Sequence, residues 1–192
     1  MNAVFTQSVA RDDNRPRDIC VNSMADRLGQ ADNIDYSRNY CYTGDMDWEV
    51  NLIYNPTQIR ELILQTKRIA VLGIKTEAQA DQPAFYVPDY LFRAGFEIIP
   101  VPVYYPEVTE ILGKKVYRRL IDIPDEIDLV NVFRRSHDIN SHVEDMLAKK
   151  PKAVWFQSGI RNDQVAEQLA RAGIKVVQDR CLMVEHRRVG AR

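Results

Sequence analysis

Five short apolar runs, each closed by a turn or helix signal, constrain this chain more than any other feature. They fall at 68–73, 96–101, 127–133, 153–156 and 174–177, and unbroken runs of this length suit strands buried on both faces of a sheet. The stretches between them carry helical spacing. Asn55 is a good N-cap and Pro56 suits a first helical turn, and Ile59, Leu62 and Ile63 follow at i, i+3, i+4, which predicts a helix over 56–66. A second helix is expected at 84–94 with Tyr90, Leu91 and Ala94 inward and Gly95 closing it; Pro88 inside it implies a late start or a kink. Asp138 can cap a third, whose apolar face is Ile139, Val143, Met146 and Leu147, ending before Pro151. Asn162 or Asp163 can cap a fourth, with Val165, Leu169 and Ala170 inward and Gly173 after it. Residues 103–125 read as an irregular connection with a small strand at 115–117 and a helical turn at 119–122. Strands alternating with helices imply parallel βαβ units with right-handed crossovers. The expected fold is α/β: a doubly wound parallel sheet of about five strands in a three-layer, Rossmann-like sandwich.

The chain has 192 residues and 45% apolar content, which suits one domain with a tail. Residues 1–54 form a polar N-terminal extension, expected to be partly disordered, with scattered aromatics (Tyr36, Tyr40, Tyr42, Trp48) and no sustained period. Residues 55–192 make the domain. The acidic run at 45–49 reads as a solvated segment edge rather than a metal cluster, because no further ligands lie near it in sequence. With 26 basic and 27 acidic residues the net charge is −1, so no overall field favours nucleic acid or an anionic membrane. Cys20, Cys41 and Cys181 are odd in number and lack CxxC spacing, which speaks against a disulfide framework and for a reducing compartment. Cys181 and His186 offer only a C-x4-H fragment, too few ligands for zinc. No run approaches the roughly 18 apolar residues of a membrane span, and no secretory or transit signal is visible; a cytoplasmic location is expected.

In such a fold the ligand lies outside the carboxyl ends of the strands, at the point where strand order reverses. The residues that follow the strands are Gly73, Ile74 and Lys75; Pro100, Val101 and Pro102; Phe133, Arg134 and Arg135; Gln157, Ser158, Gly159, Ile160 and Arg161; and Gln178, Asp179, Arg180 and Cys181. Gly73 allows a phosphate close to the backbone, and Lys75, Arg134, Arg135 and Arg161 can neutralise it. Val101, Pro102 and Phe133 suit an adenine ring or a pantetheine arm. A GxGxxG fingerprint is missing, as are an acidic residue ending the second strand and a Walker loop, which weighs against NAD(P) and ATP. No Asp–His–Ser triad is readable, Ser158 lacks the glycine of a nucleophile elbow, and His137, His142 and His186 read as loop, helix-surface and terminal residues. No catalytic residue is assigned. Cys181 reads either as a thiol at the ligand rim or as a small core residue.

Several blocks together resemble the small CoA-binding domain family, which is similar to the N-terminal CoA-binding domain of the succinyl-CoA synthetase α subunit. They are Gly73–Ile74; 98–101; 113–117; 122–124; 128–135, which includes Asn131, Phe133, Arg134 and Arg135; 154–160, which includes Gln157 and Gly159; and 179–181. The resemblance covers 67–188. It implies a Rossmann-like CoA-binding domain with CoA across the strand ends. The nucleotide would lie near Gly73, Ile74, Lys75, Pro100, Val101 and Pro102, and Phe133, Arg134, Arg135, Gln157, Gly159 and Ile160 would line the remainder. Two positions depart from the family: Lys75–Thr76 stand where it usually has Ser or Thr, and Gln82, Pro83 and Ala84 replace an Arg-Pro-Ser helix start. The phosphohistidine of the full synthetases has no counterpart here. The leading expectation is a protein that binds coenzyme A or acyl-CoA without chemistry of its own. A subunit of an acyl-CoA ligase or transferase that needs a partner, and an NAD(P)-binding redox protein, stand as alternatives. Whether the chain forms a homo-oligomer stays open.

Overall fold

A computed structural model describes residues 47–190. Asn55 caps the first helix, α1 (Pro56–Gln65), by accepting the Thr57 amide at 2.8 Å, and Ile59, Leu62 and Ile63 are its buried face. The strand β1 (Arg68–Leu72) follows, then α2 (Pro83–Arg93) and β2 (Glu97–Val101). A two-stranded hairpin, β3 (Glu110–Ile111) and β4 (Lys114–Lys115), precedes β5 (Leu129–Val132). The remaining elements are α3 (Val143–Lys149), β6 (Ala153–Phe156), α4 (Asp163–Arg171), β7 (Lys175–Val177) and α5 (Leu182–Gly190).

The five long strands form one parallel sheet in the order β2-β1-β5-β6-β7. Alternate residues of each strand feed two cores. Ile69, Val71, Ile98, Leu129 and Trp155 pack beneath α1, α2 and α5, while Ala70, Leu72, Val130, Val132 and Phe156 pack beneath α3 and α4. Both faces are covered, which is why the strands read as continuous apolar runs. The α/β, doubly wound, three-layer architecture expected from the alternation is the one observed.

Local expectations need correction at four places. Pro88 does not delay α2: the helix starts at Pro83 and Pro88 is buried inside it. A proline at that position cannot donate to the Ala84 carbonyl, and the Lys75 amide takes that carbonyl instead, at 3.1 Å. The inward face of α2 is Phe85, Val87, Pro88 and Leu91; Tyr90 is half-buried and Ala94 exposed. The small strand pairing lies at 110–111 with 114–115 rather than at 115–117; Tyr117 instead gives its amide to the Pro100 carbonyl at 2.9 Å. Asp138 caps no helix. Residues Ser136–His142 form 3-10 turns, and the Asp138 carboxylate is engaged by Arg134, Arg135 and His137. The helix α5 was not anticipated, because Arg187 and Arg188 mask its short apolar face.

Residues before Asn55 also pack on the sheet. Leu52 bridges Val176 in parallel, the Ile53 amide donates to the Val176 carbonyl at 2.8 Å, and Ile53 is buried. The Asn51 amide group donates to the Ala170 carbonyl at 2.9 Å, and the Arg171 guanidinium lies 4.7 Å from the Trp48 ring centre. The expected domain boundary at 54/55 falls inside this packing, and the expected disorder at the start of the extension lies outside the described residues. Among the described residues no helix is long and apolar enough to cross a membrane.

Candidate functional site

The chain runs outward from β1 to β2 and returns to β5 on the other side of β1, so strand order reverses between β1 and β5. Beside the carboxyl ends of β5 and β6 lies a cleft of about 640 Å³, within the range of small-molecule sites. One part of the lining is the start of α2, with Gln82, Pro83, Ala84, Tyr86 and Val87; another is the start of α5, with Cys181, Met183 and Val184. The floor and rim come from the loops after β5 (Phe133, Arg134, Arg135) and β6 (Gln157, Ser158, Gly159, Ile160). Two helix N-termini therefore open on one cavity. Their dipoles and the adjacent guanidiniums make it a favourable place for anionic groups.

The loops of the floor are fixed by side-chain bonds. The Gly159 amide donates to the Asp179 carboxylate at 2.6 Å, the Asp179 amide to the Ile160 carbonyl at 3.2 Å, and the Trp155 indole to the Arg180 carbonyl at 2.6 Å. Asp179 has a positive φ of 54°, a conformation Asp tolerates better than most residues. Beneath the cleft, the Gln157 side-chain amide donates to Asn131 Oδ1 at 2.7 Å. Asn131 is 0% exposed and its own Nδ2 has no partner.

The basic residues differ in role. Arg134 is largely buried: its guanidinium is 3.3 Å from the Asp138 carboxylate, donates to the Tyr104 hydroxyl at 3.4 Å and lies 5.5 Å from the Tyr104 ring centre. Its hydrogen bond and charge hold the Tyr104 phenol below its ordinary pKa. Arg135 is exposed and pairs with Asp138 at 3.0 Å, and chiefly through that contact the Asp138 carboxyl is held below the usual range. Lys75 donates to the Tyr105 hydroxyl at 3.2 Å and lies 5.2 Å and 5.4 Å from the Tyr104 and Tyr105 ring centres. Arg161 pairs with Asp163 at 2.9 Å. Burial, aided by the charge of Arg134, pushes the His142 imidazole down.

Phe133, Arg134, Arg135, Gln157, Gly159 and Ile160 thus meet in the cleft as a group, whereas Gly73, Ile74, Lys75, Pro100, Val101 and Pro102 are not part of its lining. Gly73, Ile74, Pro100, Val101 and Pro102 are buried, and Lys75 is half-buried beside the two tyrosines. The reason is local packing: the Gly73 amide donates to the Val101 carbonyl at 2.8 Å, and Ile74 joins the core beneath α2. The contributions of Tyr86, Val87, Met183 and Val184 were not read from sequence. Tyr86 carried the one usable signal, a large side chain near a helix start; Met183 and Val184 depend on the unanticipated α5.

A doubly wound parallel sheet with a cleft at its switch point defines the class, a Rossmann-like α/β domain. Residues 67–187 match the CoA binding domain family, and the chain belongs to that family. It is similar to YneT, an uncharacterised Bacillus subtilis protein, at 36% identity over 134 residues, covering 69% of this chain and 96% of that one. Among solved structures it resembles a Thermus thermophilus protein at 39% identity and TM-score 0.65, covering 71% of this chain and 99% of that one. A hypothetical protein from Pyrococcus horikoshii is similar at 33% identity and TM-score 0.64, covering 71% and 92%.

Proposed function

We propose that the cleft binds coenzyme A or an acyl-CoA, and that this chain acts by binding rather than by catalysis of its own. The observation that carries this reading is the convergence of the α2 and α5 N-termini with Arg134 on one cavity whose lining also presents apolar side chains, Phe133, Ile160, Met183 and Val184. The ligand it suits has phosphates at one end and a long, weakly polar arm at the other. NAD fits less well, since the end of β2 offers buried Val101 and Pro102 where a ribose would need an acid. The cysteine pattern is that of a reducing compartment, in keeping with a cytoplasmic pool of CoA. Calorimetric titration should show CoA bound more tightly than NAD, and native mass spectrometry of freshly purified protein should show co-purified CoA. Tighter binding of NAD rejects the reading.

A further inference from the structure

A second, smaller cavity of about 160 Å³ lies where α1 and α5 pack together, and it shares no lining residue with the cleft. Its charged lining is Arg60 of α1, Arg180 just before α5, and Glu185 and Arg188 of α5; the rest is apolar. Three guanidiniums and one carboxylate therefore line a single small space, which leaves an excess of two positive charges there.

The carboxylate is already committed. Glu185 is 9% exposed, and its Oε1 takes Arg180 at 3.3 Å and Arg188 at 2.8 Å. Arg180 is also fixed through its backbone: its carbonyl accepts the Trp155 indole at 2.6 Å and its amide donates to the Phe156 carbonyl at 3.3 Å. Arg60 is different. It is half-buried, yet its side chain makes no ion pair or hydrogen bond among the described residues. A guanidinium carries five N–H donors, and partial burial strips water from them without replacing it. One fixed carboxylate and three guanidiniums, one of them unpaired, leave donors and charge for an anion from outside the chain.

We propose that this cavity is an anion site separate from the cleft, and that its ligand is a doubly charged phosphate group, either inorganic phosphate or the end of a small phosphomonoester. A phosphate near neutral pH carries close to two charges, which matches the excess, and offers three acceptor oxygens in different directions. Planar guanidinium forks suit those oxygens better than an ammonium does. The size of the cavity sets the upper limit: it lies below the range of sites that enclose a nucleotide or a cofactor. The inference goes beyond the CoA reading and shares no residue with it.

Calorimetric titration of the full chain tests this with two probes, inorganic phosphate and glycerol phosphate, in a phosphate-free zwitterionic buffer at neutral pH and constant ionic strength. The expected result is saturable binding of at least one probe, weakened on the order of tenfold or more in Arg60→Gln. Arg60→Lys returns the charge without the fork and should restore only part of the affinity. Because the Arg60 side chain has no partner in the described protein, thermal unfolding of Arg60→Gln without phosphate should match that of the wild type. Glycerol phosphate bound at least as tightly as inorganic phosphate assigns the site to a phosphomonoester; tighter inorganic phosphate assigns it to the free ion. The cleft is also basic, so the titration is repeated on Arg134→Ala, where the affinity should be that of the wild type. No saturable binding of either probe, equal affinity in Arg60→Gln and wild type, or a loss confined to Arg134→Ala overturns the inference. Failure of CoA to bind would remove the CoA reading alone.

Discussion

The Lys75 amide donates at 3.1 Å to the Ala84 carbonyl, the group that Pro88 leaves without its helical donor. A proline that would ordinarily damage a helix interior thus ties the loop after β1 to the first turn of α2, at the cleft wall. Pro88→Ala restores a competing N–H to that carbonyl and should weaken the loop's anchor by about 1 kcal/mol. Hydrogen exchange at the Lys75 amide should then speed up severalfold while exchange in β1 stays unchanged; unchanged exchange at Lys75 would show the bond to be incidental.

Gly73 is required by packing. Its φ is +87°, and a Cβ there would lie 2.5 Å from the Phe133 carbonyl oxygen and 3.2 Å from Arg134 Cδ. Gly73→Ala combines left-handed strain with a clash against backbone, and should destabilise the fold by about 2–3 kcal/mol. Chemical denaturation reads this directly. A stability loss below the error of the measurement would mean that the loop can shift freely.

Arg134 and Arg135 are neighbours with different prospects. Arg134 has a side chain 12% exposed and lies in the cleft between Asp138 and Tyr104, whereas the Arg135 side chain is 73% exposed. Arg134→Ala should weaken CoA binding by about 1–3 kcal/mol, the order of a charge-assisted hydrogen bond to phosphate. Arg135→Ala should cost less than about 0.5 kcal/mol, as solvated ion pairs do. Calorimetry on the two variants distinguishes them, and equal, unchanged affinities would make the basic rim irrelevant to the ligand.

Acid sensitivity should centre on Asp128. Burial raises its carboxyl, but the Lys152 ammonium at 2.7 Å and the Lys67 and Arg68 amides, each at 2.9 Å, outweigh burial and hold it below the ordinary value. A carboxyl depressed by folding contributes stability that is present above its unfolded pKa and lost as pH falls through its folded pKa. Asp128→Ala should lower stability at neutral pH by about 1–3 kcal/mol and flatten the loss seen on acidification below the usual carboxylate range. Denaturant titrations from neutral pH downward test both points; parallel curves for wild type and variant would assign the acid loss elsewhere.

The order and type of the sheet strands and of the four expected helices were legible in the amino-acid sequence, because a strand buried on both faces must be apolar throughout and an amphipathic helix must repeat every three to four residues. The expectation that strand ends gather at one rim matches the cleft to the extent that residues after β5 and β6, Phe133, Arg134, Gln157 and Gly159 among them, line it together. Tertiary structure decided the rest. Ile74 and Val101 follow β1 and end β2, as a rim residue should, yet packing beneath α2 and within the core of the opposite face buries both. Pro88 stays inside α2, and the Ala84 carbonyl it leaves without a helical donor is taken by the distant Lys75 amide. Part of the cleft lining comes from α5, a helix whose weak pattern becomes stable once Leu182 meets the core. Periodicity records what each segment needs to bury; which neighbour buries it, and which rim is left open, is set by contacts between residues far apart in the chain.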